Sequence, residues 1–367
     1  MSRSRDNADA VTTVPSGVGR NMIINGAMNV AQRSASVTGL GAASGYFTLD
    51  RWKVQIGDAS AGRFTMTQTA DGPNGISANC LKLDCTTADT SIAAGERLNL
   101  WHRIEGQNLQ RIGKGVAGAK EITVSFYVKA NAAFTFGCEL FDSDNTRQIT
   151  KLFDTTTGWV RHELTFPADV DDGSSPFDDD NAVSMTLEFW IHSGSTYTSG
   201  TLNATAWANS TSANRAVGID SFFSSTDNNF FITGVQMEVG PVATEFEQED
   251  ISTTLAKCQR YCVNLSPEDS NPYIADATVQ TTTLAVAIVE LPVEMRTTPT
   301  ITLSGTASNY SLYEDTTTIN CTAFAANGFN PKGGGINFTV SSGLTVGRGA
   351  GVFVNSGITA SIIEAEL

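Results

Sequence analysis

Residues 122–128 read Ile-Thr-Val-Ser-Phe-Tyr-Val. In an extended chain Thr123, Ser125 and Tyr127 point one way and Val124, Phe126 and Val128 the other, because successive side chains of a strand alternate between its faces. The segment Trp159–Phe166 alternates in the same way. Further short apolar runs at Met22–Ile24, Tyr46–Val54, Arg63–Gln68, Cys80–Cys85, Phe134–Phe141, Met185–Ile191 and Phe230–Val239 are separated by turn-rich stretches. About nine or ten strands, each with one face to bury, are satisfied by two sheets packed face to face, so the sequence predicts an all-β fold with a β-sandwich over 21–249.

Composition agrees with this. Charged residues are 17% of the 367, where roughly 25% is usual, and Thr, Ser, Asn and 33 Gly take their place, as suits strands and turns. The hydrophobic fraction of 41% is enough to fill packed cores. Lys and Arg total 23 against 38 Asp and Glu, a net charge of −15 that repels phosphates at long range and argues against nucleic-acid or anionic-membrane partners. No apolar run reaches the ~18 residues of a spanning helix, and Met1–Gly17 has no apolar signal-peptide core, so synthesis and folding in a cytoplasm are expected. Cys80, Cys85, Cys138, Cys258, Cys262 and Cys321 form no C-x-x-C or zinc-ligand spacing. They read as buried free thiols, with a Cys80–Cys85 or Cys258–Cys262 disulfide as the alternative.

Residues 1–20 form a polar arm containing Arg3, Arg5 and Asp6, either a frayed terminus or an arm that orders on a partner. Residues 99–112 fit a helix weakened by Gly106, or an irregular strand followed by a loop. Ile251, Leu255, Cys258 and Tyr261 or Cys262 lie on one stripe of a short linker helix over 250–262, with Asp250 or Ser252 at its cap. The β pattern then returns on a smaller scale over 263–367, which predicts a second, smaller β-sandwich.

Recognisable catalytic chemistry is missing. There is no G-x-S-x-G elbow, phosphate loop or dinucleotide fingerprint, and His102, His162 and His192 lack metal-ligand spacing. No catalytic residue, metal ligand or cofactor is assigned. The acidic run 171–181 reads as a solvated excursion, with a structural calcium loop as the alternative, although it lacks the EF-hand order. Aromatic rings can stack on sugar C–H faces. Trp52, Trp159 and Trp190 read as core, whereas Trp207, Tyr310 and Tyr313 lie near polar turns and are the candidate glycan-binding residues.

Four stretches carry a resemblance: Asn21–Ser34 with Tyr46–Trp52, Arg103–Ala130, Ile232–Glu247 and Leu255–Tyr261. In this order they resemble the jelly-roll module of tail-fibre and other appendage proteins of tailed bacteriophages. Ile24-Asn25-Gly26 also resembles the opening strand of carbohydrate-binding-module jelly rolls. The stretch around Ser4-Arg5-Asp6 is similar to virion-attachment ends, and Met295–Thr300 to an element of distal fibre domains. The resemblance implies a jelly roll, a homotrimer and a location in the virion. Its partners would be other virion proteins, docked through Arg3, Arg5 and Asp6, and a host-surface glycan or protein. A head fibre or capsid-decorating protein is the alternative within the virion. A glycan-active enzyme or free carbohydrate-binding module is the alternative of another class.

Overall fold

The computed structural model of the protein describes residues 19–58, 60–170, 175–265, 273–355 and 361–367. Its first strands are β1 (Ser36–Leu40), β2 (Gly45–Tyr46), β3 (Lys53–Gly57), β4 (Arg63–Thr69), β5 (Cys80–Thr87), β6 (Arg97–Glu105) and β7 (Ile122–Ala130). They continue with β8 (Thr135–Asp142), β9 (Arg147–Asp154), β10 (Val160–Phe166), β11 (Val183–Ser193), β12 (Ala208–Asn209) and β13 (Asn229–Val239). Together they make a six-stranded sheet, β1-β4-β5-β13-β7-β10, and a seven-stranded sheet, β12-β9-β8-β11-β6-β3-β2. All their pairings are antiparallel and the two layers form a jelly-roll sandwich. The alternation in β7 sets its facing: Val124, Phe126 and Val128 enter the core, where Phe126 meets Phe153 and Phe189 edge-on at 5.0 Å. Trp52 and Trp190 are fully buried as read, whereas Trp159 is half-buried and donates from Nε1 to the Asp71 carbonyl at 3.1 Å. Residues 99–112 take the non-helical alternative: the strand β6 runs into two 3-10 turns.

The segments that carry the resemblance converge. Asn25 is buried, and its side chain donates to the carbonyls of Val30 and Asp50 while accepting from the N–H groups of Asn29 and Val30. Gly26 lies so close to β13 that a Cβ there would stand 2.0 Å from the Val235 carbonyl oxygen, so only glycine fits. Asn21 accepts from Met237 N–H and donates to the Val235 carbonyl, which ties the chain's entry to the same strand.

After β13 comes helix α1 (Ile251–Gln259), capped by Asp250, whose side chain accepts from Ser252 N–H at 2.8 Å. Thr254 and Cys258 are its buried residues, whereas Ile251, expected on the packed stripe, is exposed in the first turn. The remaining strands are β14 (Cys262–Asn264), β15 (Tyr273–Thr281), β16 (Leu284–Glu290), β17 (Thr300–Thr302), β18 (Tyr310–Glu314), β19 (Thr317–Asn330), β20 (Gly333–Val340), β21 (Gly349–Val354) and β22 (Ile362–Glu364). They surround a separate core. This smaller β unit, read from the sequence as a sandwich, closes β15-β16-β20-β19-β18-β21 into a barrel. The small inward residues Ala277, Ala285, Ala287 and Ala350 let strands converge, and β21 pairs with both β15 and β18, which leaves no open edge.

The two cores meet through buried charge. Strand β22 lies between β14 and β17 and brings the chain's end back to the sandwich. Arg51, with φ +72°, is fully buried; its guanidinium lies 3.5 Å from the Tyr261 ring centroid, pairs with Glu366 and donates to the Arg103 carbonyl at 2.6 Å. Arg33 reaches Glu364 at 2.9 Å and Glu366 at 3.1 Å. Removing one member of such a pair strands a buried charge, so Arg51→Met should lower the urea-unfolding free energy by about 3–5 kcal/mol. A loss below ~1 kcal/mol would show that this junction does not hold the units together.

Candidate functional site

Among the sequence-selected aromatics, Trp207 and Tyr310 are enclosed. Trp207 is 8% exposed and donates from Nε1 to the Pro167 carbonyl at 2.8 Å. Tyr310 is fully buried in the barrel, with its hydroxyl 2.7 Å from Ser361 Oγ and 2.9 Å from the Ser304 carbonyl. Neither ring offers a face to a sugar, which corrects the expectation for both. The cause is strand parity in β18: Tyr310 and Leu312 point inward, so Tyr313 points out. Arg3, Arg5 and Asp6 lie outside the described residues, as do Asp171 and Asp172 of the acidic run.

Tyr313 is 43% exposed and belongs to an aromatic patch. Its ring lies 6.1 Å from that of Phe353, which in turn is 5.2 Å from Tyr273, itself 47% exposed. A Cβ on Gly351 would come within 2.7 Å of the Tyr273 ring, so the bare glycine lets that ring lie across β21. The Tyr273 hydroxyl donates to the Asp276 carboxylate. Beside the tyrosines an open hollow is lined by Asp276, Thr278, Ile288 and Glu290. Flat rings with adjacent hydroxyl-binding groups can hold a saccharide there.

The outer face of the seven-stranded sheet carries a second constellation that sequence reasoning missed. Register places Tyr46, Lys53, Trp101, Glu188 and Glu139 in one row across β2, β3, β6, β11 and β8. At the Glu end this face is closed. Arg215 donates to Glu139 Oε2 at 2.9 Å and Glu188 Oε1 at 3.0 Å, and Trp190 Nε1 donates to Glu139. Two facing carboxylates invite comparison with a glycosidase pair, but both are buried and already bound by arginine, so no substrate reaches them. Burial pushes the Glu139 carboxyl up to about 7 against the opposing pull of Arg215.

The histidines are dispersed. His102 is buried against Trp52, and burial lowers its pKa, which leaves a neutral ring whose Nε2 accepts from Ile24 N–H at 3.1 Å. His192 stands between Ser221 and Glu96, and burial outweighs that carboxylate to lower its pKa as well. His162 meets the Asp154 carbonyl. All six cysteines are free and buried, as the sequence suggested. No group of three His, Cys, Asp or Glu gathers to hold a metal among the described residues.

No protein-family model and no curated protein matches the chain. Solved structures similar to it include a family 4 carbohydrate-binding module (11% identity, 59% of this chain, 99% of that one, TM-score 0.29). A family 11 module from Clostridium thermocellum, in complex with a β-1,3-1,4-mixed-linked tetrasaccharide, gives 12% identity, 57% and 99% coverage and a TM-score of 0.27. The CBM22-1 xylan-binding domain of Paenibacillus barcinonensis Xyn10C gives 8% identity, 58% and 100% coverage and a TM-score of 0.26. Similarities this distant assign the chain to none of these families.

The raised Glu139 carboxyl has a definite sign in stability. Unfolded, it titrates near 4.5; folded, near 7. Between these values the folded protein holds a proton that the unfolded chain has released, so this group's contribution falls as pH rises through the window. Glu139→Gln removes the titration. The stability of the native protein relative to this variant should therefore decline from pH 4.5 to 7 in urea melts, and a constant difference would contradict the assignment.

Proposed function

We propose that the chain is a non-catalytic adhesive appendage of a tailed-bacteriophage particle that holds host-surface glycan on its barrel. The observation that carries the glycan reading is the exposed pair Tyr273 and Tyr313, framing Phe353 beside Asp276. The rings supply stacking surface, while the carboxylate and the Thr278 hydroxyl can accept from sugar hydroxyls. Open patches of this kind bind single sugars weakly. A homotrimer presenting three of them gains avidity through effective concentration, which suits attachment to a repeating polysaccharide. The virion setting is supported by the four-segment resemblance, with Arg3, Arg5 and Asp6 as the docking residues of the arm.

Tyr313→Ala and Tyr273→Ala should each weaken retention of the purified protein on host envelope polysaccharide by about tenfold, as expected for losing a stacked ring. Retention unchanged in both variants would remove the barrel from the proposal, and release of reducing ends from the polysaccharide would overturn the non-enzymatic assignment. Label on the tail in imaged phage particles is the expected location. Label on the capsid would make the protein a head fibre or decoration, and unlabelled particles would end the virion reading.

A further inference from the structure

We infer that the open half of the seven-stranded sheet's outer face, around Trp101, is a second binding site, built for an anionic saccharide. Among the described arginines, all except Arg97 and Arg103 form an ion pair or hydrogen bond through their side chains. These two stand on β6 on either side of Trp101, with guanidinium carbons 5.7 Å and 4.9 Å from its ring centroid. Lys53, directly across on β3, places Nζ 5.6 Å from the same centroid and also has no ion pair or hydrogen bond. The clustering is not forced by a shortage of acid, since the chain carries 38 Asp and Glu against 23 Lys and Arg.

Three carboxylates that border this face are occupied. Glu188 is held by Arg215 and Asn99. Glu105 is held by Arg260 and Tyr261, and Glu366 by Arg51 and Arg33. The three cations gather around the Trp101 ring. Burial and the Arg103 charge lower the Lys53 pKa from its ordinary value, as mutual repulsion requires. Trp101 Nε1, Arg97 Nε and Arg103 Nε are shielded from solvent and lack an acceptor, which leaves three donors of this cluster unsatisfied within the protein. Arg97 is also held flat over β3: a Cβ at Gly57 would come within 2.7 Å of its Cγ.

The chemistry selects the ligand. Guanidinium groups bind carboxylate, sulfate or phosphate oxygens with short, charge-assisted hydrogen bonds. The half-buried rings of Tyr46, Trp101 and Tyr197 offer apolar surface to the C–H face of a sugar carrying such a group. A nucleic acid would bring many phosphates against a chain of net charge −15, whereas an acidic saccharide meets only the local positive patch. The site is separate from the barrel tyrosines, so each can fail alone.

Isothermal titration of the full chain tests this with four probes: oligogalacturonate, a sulfated oligosaccharide, a neutral cello-oligosaccharide and an oligodeoxynucleotide. The expected result is binding of at least one acidic saccharide, weakening about tenfold or more between 50 and 500 mM salt. Arg97→Gln and Arg103→Gln should each weaken it about tenfold. Trp101→Ala should abolish it and Tyr313→Ala should leave it unchanged. Absence of binding to both acidic saccharides, equal binding of the neutral one, or insensitivity to salt overturns the inference even if an arginine variant fails to fold. Tighter binding of the oligodeoxynucleotide would also overturn it, by making the patch a polyanion surface.

Discussion

The guanidinium of Arg51 is buried at the meeting point of the sandwich, helix α1 and the chain's last residues. It stacks on Tyr261 and pairs with Glu366, and its left-handed backbone turns the chain from Asp50 into Trp52, the plug of the core. An isolated charge at this depth would be prohibitive, so the returning strand β22 and the helix must arrive together for the pair to form. The junction thereby fixes the barrel's attachment to the sandwich. It also uses the carboxylates of Glu366 and Glu105, together with Arg33 and Arg260, in completed pairs.

That pairing shapes the outer face of the seven-stranded sheet. One half lies beneath the segment that carries Tyr197 and Arg215, where Glu139 and Glu188 are bridged by Arg215 and sealed from solvent. The other half keeps Lys53, Arg97 and Arg103 around Trp101, and none of the three makes a side-chain ion pair among the described residues. An acidic chain in this way presents a compact positive and aromatic surface, and its field there opposes the sign of the whole molecule. The barrel contributes a chemically different surface, tyrosines beside acids, whose hydroxyl-binding character suits sugars without strong charge.

Much of the fold was legible because strand alternation is local. The facing of Val124, Phe126 and Val128, the burial of Trp52, the Asp250 cap and the free cysteines all follow from side chains within a few positions. Strand β6 was legible in principle, since Leu98, Leu100, His102 and Ile104 alternate with Arg97, Asn99, Trp101 and Arg103; four-residue spacing of Leu100, Ile104 and Ile112 masked that period. Tyr310 and Tyr313 differ by an odd number of positions, so one strand cannot expose both. The Trp101 constellation was not legible. Tyr46, Lys53 and Glu188 reach it only through the pairing of β2, β3, β6 and β11, and its defining property is which acids are already taken elsewhere. Closure of the barrel likewise depends on β21 meeting two partners, which no single segment announces.

The most direct test of this charge arrangement is diffraction from crystals of the full chain soaked with an acidic oligosaccharide. Sugar density over the Trp101 face, with a carboxylate or sulfate within hydrogen-bonding distance of Arg97 or Arg103, is the predicted result. Arg97 and Arg103 folded into ion pairs with the protein's own acids, and no sugar on that face, would contradict it.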